Sequence, residues 1–168
     1  MMGGGGGWSL SKDELKKLEE VAKENLKQGA QPAKRNIFIS FIKEDFDEVN
    51  LLRGQAKNEN NDLEFNDWSL REPFNSTRAE YIQRGIRERI RLSSVTMVYL
   101  SDITYKSKWV NWEIQESIKL GKQVIGVYKG DGPPKILPSS FIKYKCKQIK
   151  WTHKGIAAAI ESAASMKK

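Results

Sequence analysis

Short apolar runs rich in branched and aromatic residues alternate along this chain with amphipathic stretches of helical period. That alternation limits the fold more than any other feature. The clearest run, Val95 to Leu100 (VTMVYL), reads as a buried strand. Polar and turn-forming residues fill Ser101 to Lys108. A helical pattern then starts near Trp109 and stops at Gly121, a residue suited to a helix C-cap. The connecting loop opens at the carboxyl end of the strand, where open α/β sheets bind ligands.

The same pattern recurs on both sides. Asn36 to Phe41 (NIFISF) predicts a strand, followed by an acidic turn and a helix over Phe46 to Lys57 with Val49, Leu52 and Ala56 inward. Leu63 to Phe65 predicts a second strand, and Asn66 to Asn75 (NDWSLREPFN) a loop carrying Trp68 and Pro73. Thr77 to Arg91 predicts a helix with Ile82, Ile86 and Ile90 inward. Lys122 to Tyr128 is a fourth strand, Gly130 to Ser139 a Pro/Gly-rich loop and Lys147 to Trp151 a short last strand. Ile156, Ile160 and Ala163 mark a closing helix. Right-handed crossovers then give a three-layer, flavodoxin-like α/β domain with a mostly parallel five-stranded sheet.

Residues 1–30 are expected to stand apart from that domain, which spans 35–168. Residues 1–7 are Met and Gly only. Ser11 and Glu14 form a capping box, Leu10 and Leu15 occupy staple positions, and Leu15, Leu18, Ala22 and Leu26 make a narrow apolar stripe before Gly29 and Pro32. The stripe suits either docking on the main domain or pairing with a second copy.

The 168 residues, 39% hydrophobic and 30% charged, suffice for one soluble domain. No segment approaches the roughly 18 to 20 apolar residues of a membrane span, and no secretory signal is visible. One cysteine, Cys146, excludes an internal disulfide and points to the cytoplasm. The net charge is +8, but the basic residues are scattered. The dense group Arg78, Arg84, Arg87, Arg89 and Arg91 reads as a solvated helix face, which argues against nucleic acid as the partner.

Several chemistries are excluded. The only histidine, His153, sits near the last helix, so a nucleophilic triad would rest on it alone. No zinc-spaced His/Cys set, GxxxxGK[ST] or post-strand GxGxxG is present. A phosphoacceptor receiver would use Asp102, but a matching Lys at the fifth strand is not evident. What remains is a lone carboxylate, Glu113, roughly 90° from the stripe Val110, Ile114, Ser117, Ile118 and Gly121 by helical geometry. Trp109 lies one turn before it and Trp112 beside it. One carboxylate suits the bond from ribose to nicotinamide in NAD+, whose neutral leaving group needs no general acid, unlike an ordinary glycoside. Such a carboxylate can stabilise an oxocarbenium-like transition state, while aromatic faces stack on the rings.

NIFISF with its acidic turn, and SDITYKSKWVNWEI, resemble two signatures of TIR domains, the second carrying Ser107, then Trp109, then Glu113 four residues later. The chain resembles the TIR-like proteins of bacterial Thoeris antiphage systems over about residues 35 to 130. The resemblance implies NAD+ as substrate and no further cofactor or metal. It implies release of a cyclic or conjugated ADP-ribose signal that reaches a separate effector protein. Glu113 would then be catalytic. Ser40, Phe41, Asp45 and Trp68 would line the pocket with Tyr105, and Ser107 and Trp109 would shape its catalytic end. Pro73 is followed by Phe74 where many TIR domains carry Pro-Gly. The alternative is a non-enzymatic TIR-like adaptor acting by self-assembly, using the extra helix and exposed aromatics.

Overall fold

The computed structural model describes residues 11–27, 35–58 and 61–165. The chain divides into two units, Met1–Ala33 and Lys34–Lys168. The first holds helix α1 (Lys12–Lys27). Its start is the reciprocal capping box: the Glu14 amide donates to Ser11 Oγ and the Ser11 amide to Glu14 Oε1, each at 3.2 Å. The Gly leader, the Leu10 staple residue and the Gly29 stop lie outside the described residues, as do the side chains of Ala22, Leu26, His153 and Ile156.

The second unit is a five-stranded, all-parallel sheet in the order β2-β1-β3-β4-β5. Its strands are β1 (Arg35–Ser40), β2 (Asn61–Glu64), β3 (Val95–Leu100), β4 (Val124–Tyr128) and β5 (Lys147–Lys150). The helices are α2 (Phe46–Asn58), α3 (Asp67–Arg71), α4 (Ala79–Leu92), α5 (Lys108–Lys119), α6 (Ser139–Lys143) and α7 (His153–Ser165).

Strand periodicity sorts the core into two layers. Ile37, Ile39, Val95, Met97, Tyr99, Ile125 and Val127 face α2 and α7. Phe38, Val98, Leu100 and Val124 face α4, α5 and α6. Gly126 lies on this second face under Phe141. A Cβ there would meet Phe141 Cζ at 2.5 Å and Leu100 Cδ1 at 2.6 Å, so only glycine lets α6 seat.

Helix α5 ends as its sequence demands. Gly121 adopts φ +76°, its amide bonds to the Ile118 carbonyl at 3.0 Å, and the Lys122 amide bonds to the Ser117 carbonyl at 2.9 Å. Two short helices differ from the loops expected by sequence. Residues 66–75 contain α3, started by Asn66, whose Oδ1 accepts the Trp68 amide at 2.8 Å. The Pro/Gly-rich loop runs into α6. Five residues are too few to display a helical period. Strand β2 begins at Asn61 and leaves Phe65 outside, because backbone pairing with β1 sets its bounds and only Leu63 of it is buried.

Candidate functional site

The chain order turns one way from β1 to β2 and the other way from β1 to β3. The carboxyl ends of β1 and β3 therefore flank the switch point at which such sheets form a crevice. Ser40 ends β1. Counting by twos from Phe38 places its hydroxyl on the face covered by α5. Glu113 comes down from α5 onto it, and the Ser40 hydroxyl donates to Glu113 Oε1 at 2.6 Å.

Glu113 is only 3% exposed. The helical wheel puts it on the shoulder of one apolar stripe. Helix α5, however, packs against the sheet, α4 and α6 together, so its buried arc also takes in Trp109, Glu113 and Glu116. Burial pushes the Glu113 carboxyl up to about 8, opposed by the hydrogen bond from Ser40 that favours the ionised form. Glu116, on the next turn toward α4, has Arg87 at 3.5 Å and Lys119 at 3.7 Å.

Ser107 is the N-cap of α5, its Oγ accepting the Val110 amide at 3.1 Å. Trp109 is nearly buried and its indole N–H donates to the Glu72 carbonyl at 2.8 Å. The ring meets Phe74 edge-on at 4.9 Å and Trp112 at 5.9 Å. These contacts join the start of α5 to the segment between α3 and α4. The β3–α5 loop is tied in turn to the β1–α2 loop, because Ser101 Oγ donates to Asp45 Oδ2 at 2.7 Å. Partial burial holds the Asp45 carboxyl above its usual range, against the Ser101 bond, and Glu44 and Glu48 add to the rise.

Above these residues opens a cleft of ≈ 450 Å³, within the size range of small-molecule sites. Phe41, Ser69, Ser107 and Trp109 form part of its wall, with the cations Lys43, Arg71 and Lys106 and the carboxylates Glu44 and Glu72. Glu113 lies behind this wall. Ser69 is nine-tenths buried, lines the cleft and donates its hydroxyl proton to the Asn66 carbonyl at 2.9 Å.

The residues singled out by sequence therefore separate into groups. Phe41, Ser107 and Trp109 line the cleft. Ser40 is turned to Glu113 and not to the cleft, because β1 alternation buries it. Asp45 is turned to Ser101. Tyr105 sits in a single 3-10 turn, Thr104–Lys106, with the Lys106 ammonium 5.8 Å from its ring. Trp68 lies on the other side of α3, lining a second hollow. Ser69, Arg71 and Glu72 went unnoticed in the sequence; the Asn66–Asp67 helix start was the signal that could have placed them. Among the described residues, no group of three His, Cys, Asp or Glu is placed to hold a metal, and no helix is long and apolar enough to cross a membrane.

Fold and site together define a flavodoxin-like α/β domain with a buried acid at its topological switch point. The family model of the Thoeris protein ThsB, TIR-like domain, matches residues 38–132, more than half of the chain. The chain belongs to that family and is a TIR-like domain of the Thoeris defence type. No curated protein sequence matches it. Among solved structures it is similar to the 2-deoxyribosyltransferase of Bacillus psychrosaccharolyticus, with TM-score 0.54 and 17% identity over 74% of this chain and 95% of that one. The CMP N-glycosidase BcmB of Clostridium botulinum aligns with TM-score 0.49 and 9% identity over 76% and 99% of the two chains. The SEFIR domain of IL-17 receptor B aligns with TM-score 0.47 and 11% identity over 79% and 96%. At 17% identity the likeness to the first of these is one of fold.

Proposed function

We propose that this domain cleaves the bond between nicotinamide and ribose in NAD+ and releases an ADP-ribose signal, cyclic or conjugated, with Glu113 as the catalytic carboxylate. The observation that carries the reading is the Ser40–Glu113 pair, buried at the switch point directly behind the cleft. A neutral nicotinamide leaves without a general acid, so the protein must mainly stabilise positive charge on the ribose. A carboxylate held in a dry pocket does this far better than one in water.

A carboxyl whose pKa burial has raised is compatible with this task. With the Glu113 carboxyl at about 8, about a tenth is ionised at pH 7 in the empty protein. The cationic nicotinamide ring of NAD+ favours the ionised form as it enters. Ser40 donates to that form and fixes the carboxylate rotamer. Phe41 and Trp109 offer aromatic surface in the cleft. Lys43, Arg71 and Lys106 suit the pyrophosphate. Helix α3 is five residues long with only Ser69 buried, and the reading requires a small local adjustment of this wall to bring ribose and carboxylate into contact.

The test is to incubate the protein with NAD+ over a range of protein concentrations and chromatograph the products, beside Glu113→Gln. Nicotinamide release by the parent protein and loss of at least about 100-fold in the variant are expected. Equal turnover in the two proteins would refute the assignment.

A further inference from the structure

We propose that the hollow on the far side of α3 is the adenylate subsite of the same dinucleotide site, with Trp68 as its base-stacking platform and Arg71 as the bridge to the pyrophosphate. This inference rests on the NAD+ reading above. The hollow measures ≈ 720 Å³, larger than the cleft. Leu70 and Arg71 line both spaces. Two neighbouring chambers that share a guanidinium in their linings match a ligand built as two nucleosides joined through a pyrophosphate.

The lining suits an adenylate. Trp68 is 42% exposed, so core packing does not account for this large ring. Arg78 lies 4.5 Å and Arg71 5.0 Å from its centroid. Also lining the hollow, Arg53 lies 4.7 Å from the Phe65 ring. Indole rings and stacked guanidinium planes are the surfaces on which bases stack. Glu64 and Asp67 line the same hollow and supply carboxylate acceptors for ribose hydroxyls and the adenine amine. Arg89 is engaged by Glu64 at 3.3 Å, whereas Arg71 faces both chambers.

The experiment compares NAD+ with nicotinamide mononucleotide, which lacks the adenylate half, on the full chain, Trp68→Ala and Trp68→Phe. Trp68→Ala is expected to raise KM for NAD+ roughly tenfold or more relative to the mononucleotide, with the effect in KM and not in kcat. Trp68→Phe should recover most of it. Calorimetric titration with ADP-ribose should show the same loss and the same recovery. A ratio of the two substrates that Trp68→Ala leaves unmoved, with unmoved ADP-ribose affinity, would overturn the subsite while leaving Glu113 chemistry intact. If the parent chain releases no nicotinamide at any concentration, the catalytic reading fails and the ADP-ribose titration alone decides. Binding weakened by Trp68→Ala then supports the subsite, and binding that is absent or unaffected removes it.

Discussion

Replacing Glu113 by Gln should stabilise the folded protein, and by an amount that depends on pH. Folding moves the carboxyl from about 4.5 to about 8, chiefly through burial. The folded chain therefore binds the proton more tightly than the unfolded one. Stability is fully present below about pH 4.5 and is lost progressively as pH rises through about 8, beyond which the loss levels off. Each unit corresponds to about 1.4 kcal/mol. The penalty is thus about 3 kcal/mol at pH 7 and about 5 kcal/mol at pH 8.5, against less than about 1 kcal/mol at pH 5. Gln keeps the acceptor for Ser40 and carries no charge, so it escapes this loss. Urea denaturation of both proteins at pH 5 and pH 8.5 reads the difference directly. Glu113→Gln should gain about 4 kcal/mol on the parent between the two conditions, or about 10 °C in Tm for a chain of this size. A gap between the two proteins that stays constant within about 1 kcal/mol across this range would show that Glu113 is not buried in an apolar setting, and the electrostatic reasoning would fall with it.

Other perturbations probe the supports of the site. Ser40→Ala removes the 2.6 Å donor that favours ionised Glu113, so the pH at which activity is half-maximal should move upward by about one unit; a downward or absent shift contradicts the role given to Ser40. Ser107→Ala removes the α5 N-cap and should lower stability by about 1 kcal/mol in chemical denaturation. Gly126→Ala places a methyl group 2.5 Å from Phe141 and should destabilise by about 1 to 3 kcal/mol, with α6 amides losing hydrogen-exchange protection before those of β3.

The helix-sheet alternation was legible because each signal was local. β3 is a run of six buried residues, apolar but for Thr96, and α5 is bracketed by Ser107 and Gly121. The position of Glu113 in the sequence was equally plain. Its burial was not, because a helical wheel with one stripe assumes one neighbour, whereas α5 meets the sheet, α4 and α6. The Ser40 contact spans 73 positions, yet strand alternation held a trace of it: a hydroxyl one residue before the end of NIFISF, on the face of Phe38, calls for a polar partner. Helix α3 hid in NDWSLREPFN because five residues show no period. With it hid the separation of Phe41 and Ser69 on one side from Trp68 on the other, which only the folded path of the backbone fixes.

The pH dependence of kcat/KM for NAD+ tests the central claim most directly, since it reports the acid of the empty protein. Activity should climb about tenfold per pH unit up to about pH 8, where the carboxyl titrates, then level off, and Glu113→Gln should erase both the slope and the activity. A profile that is flat from pH 6 to pH 9, or one that survives in Glu113→Gln, would contradict it.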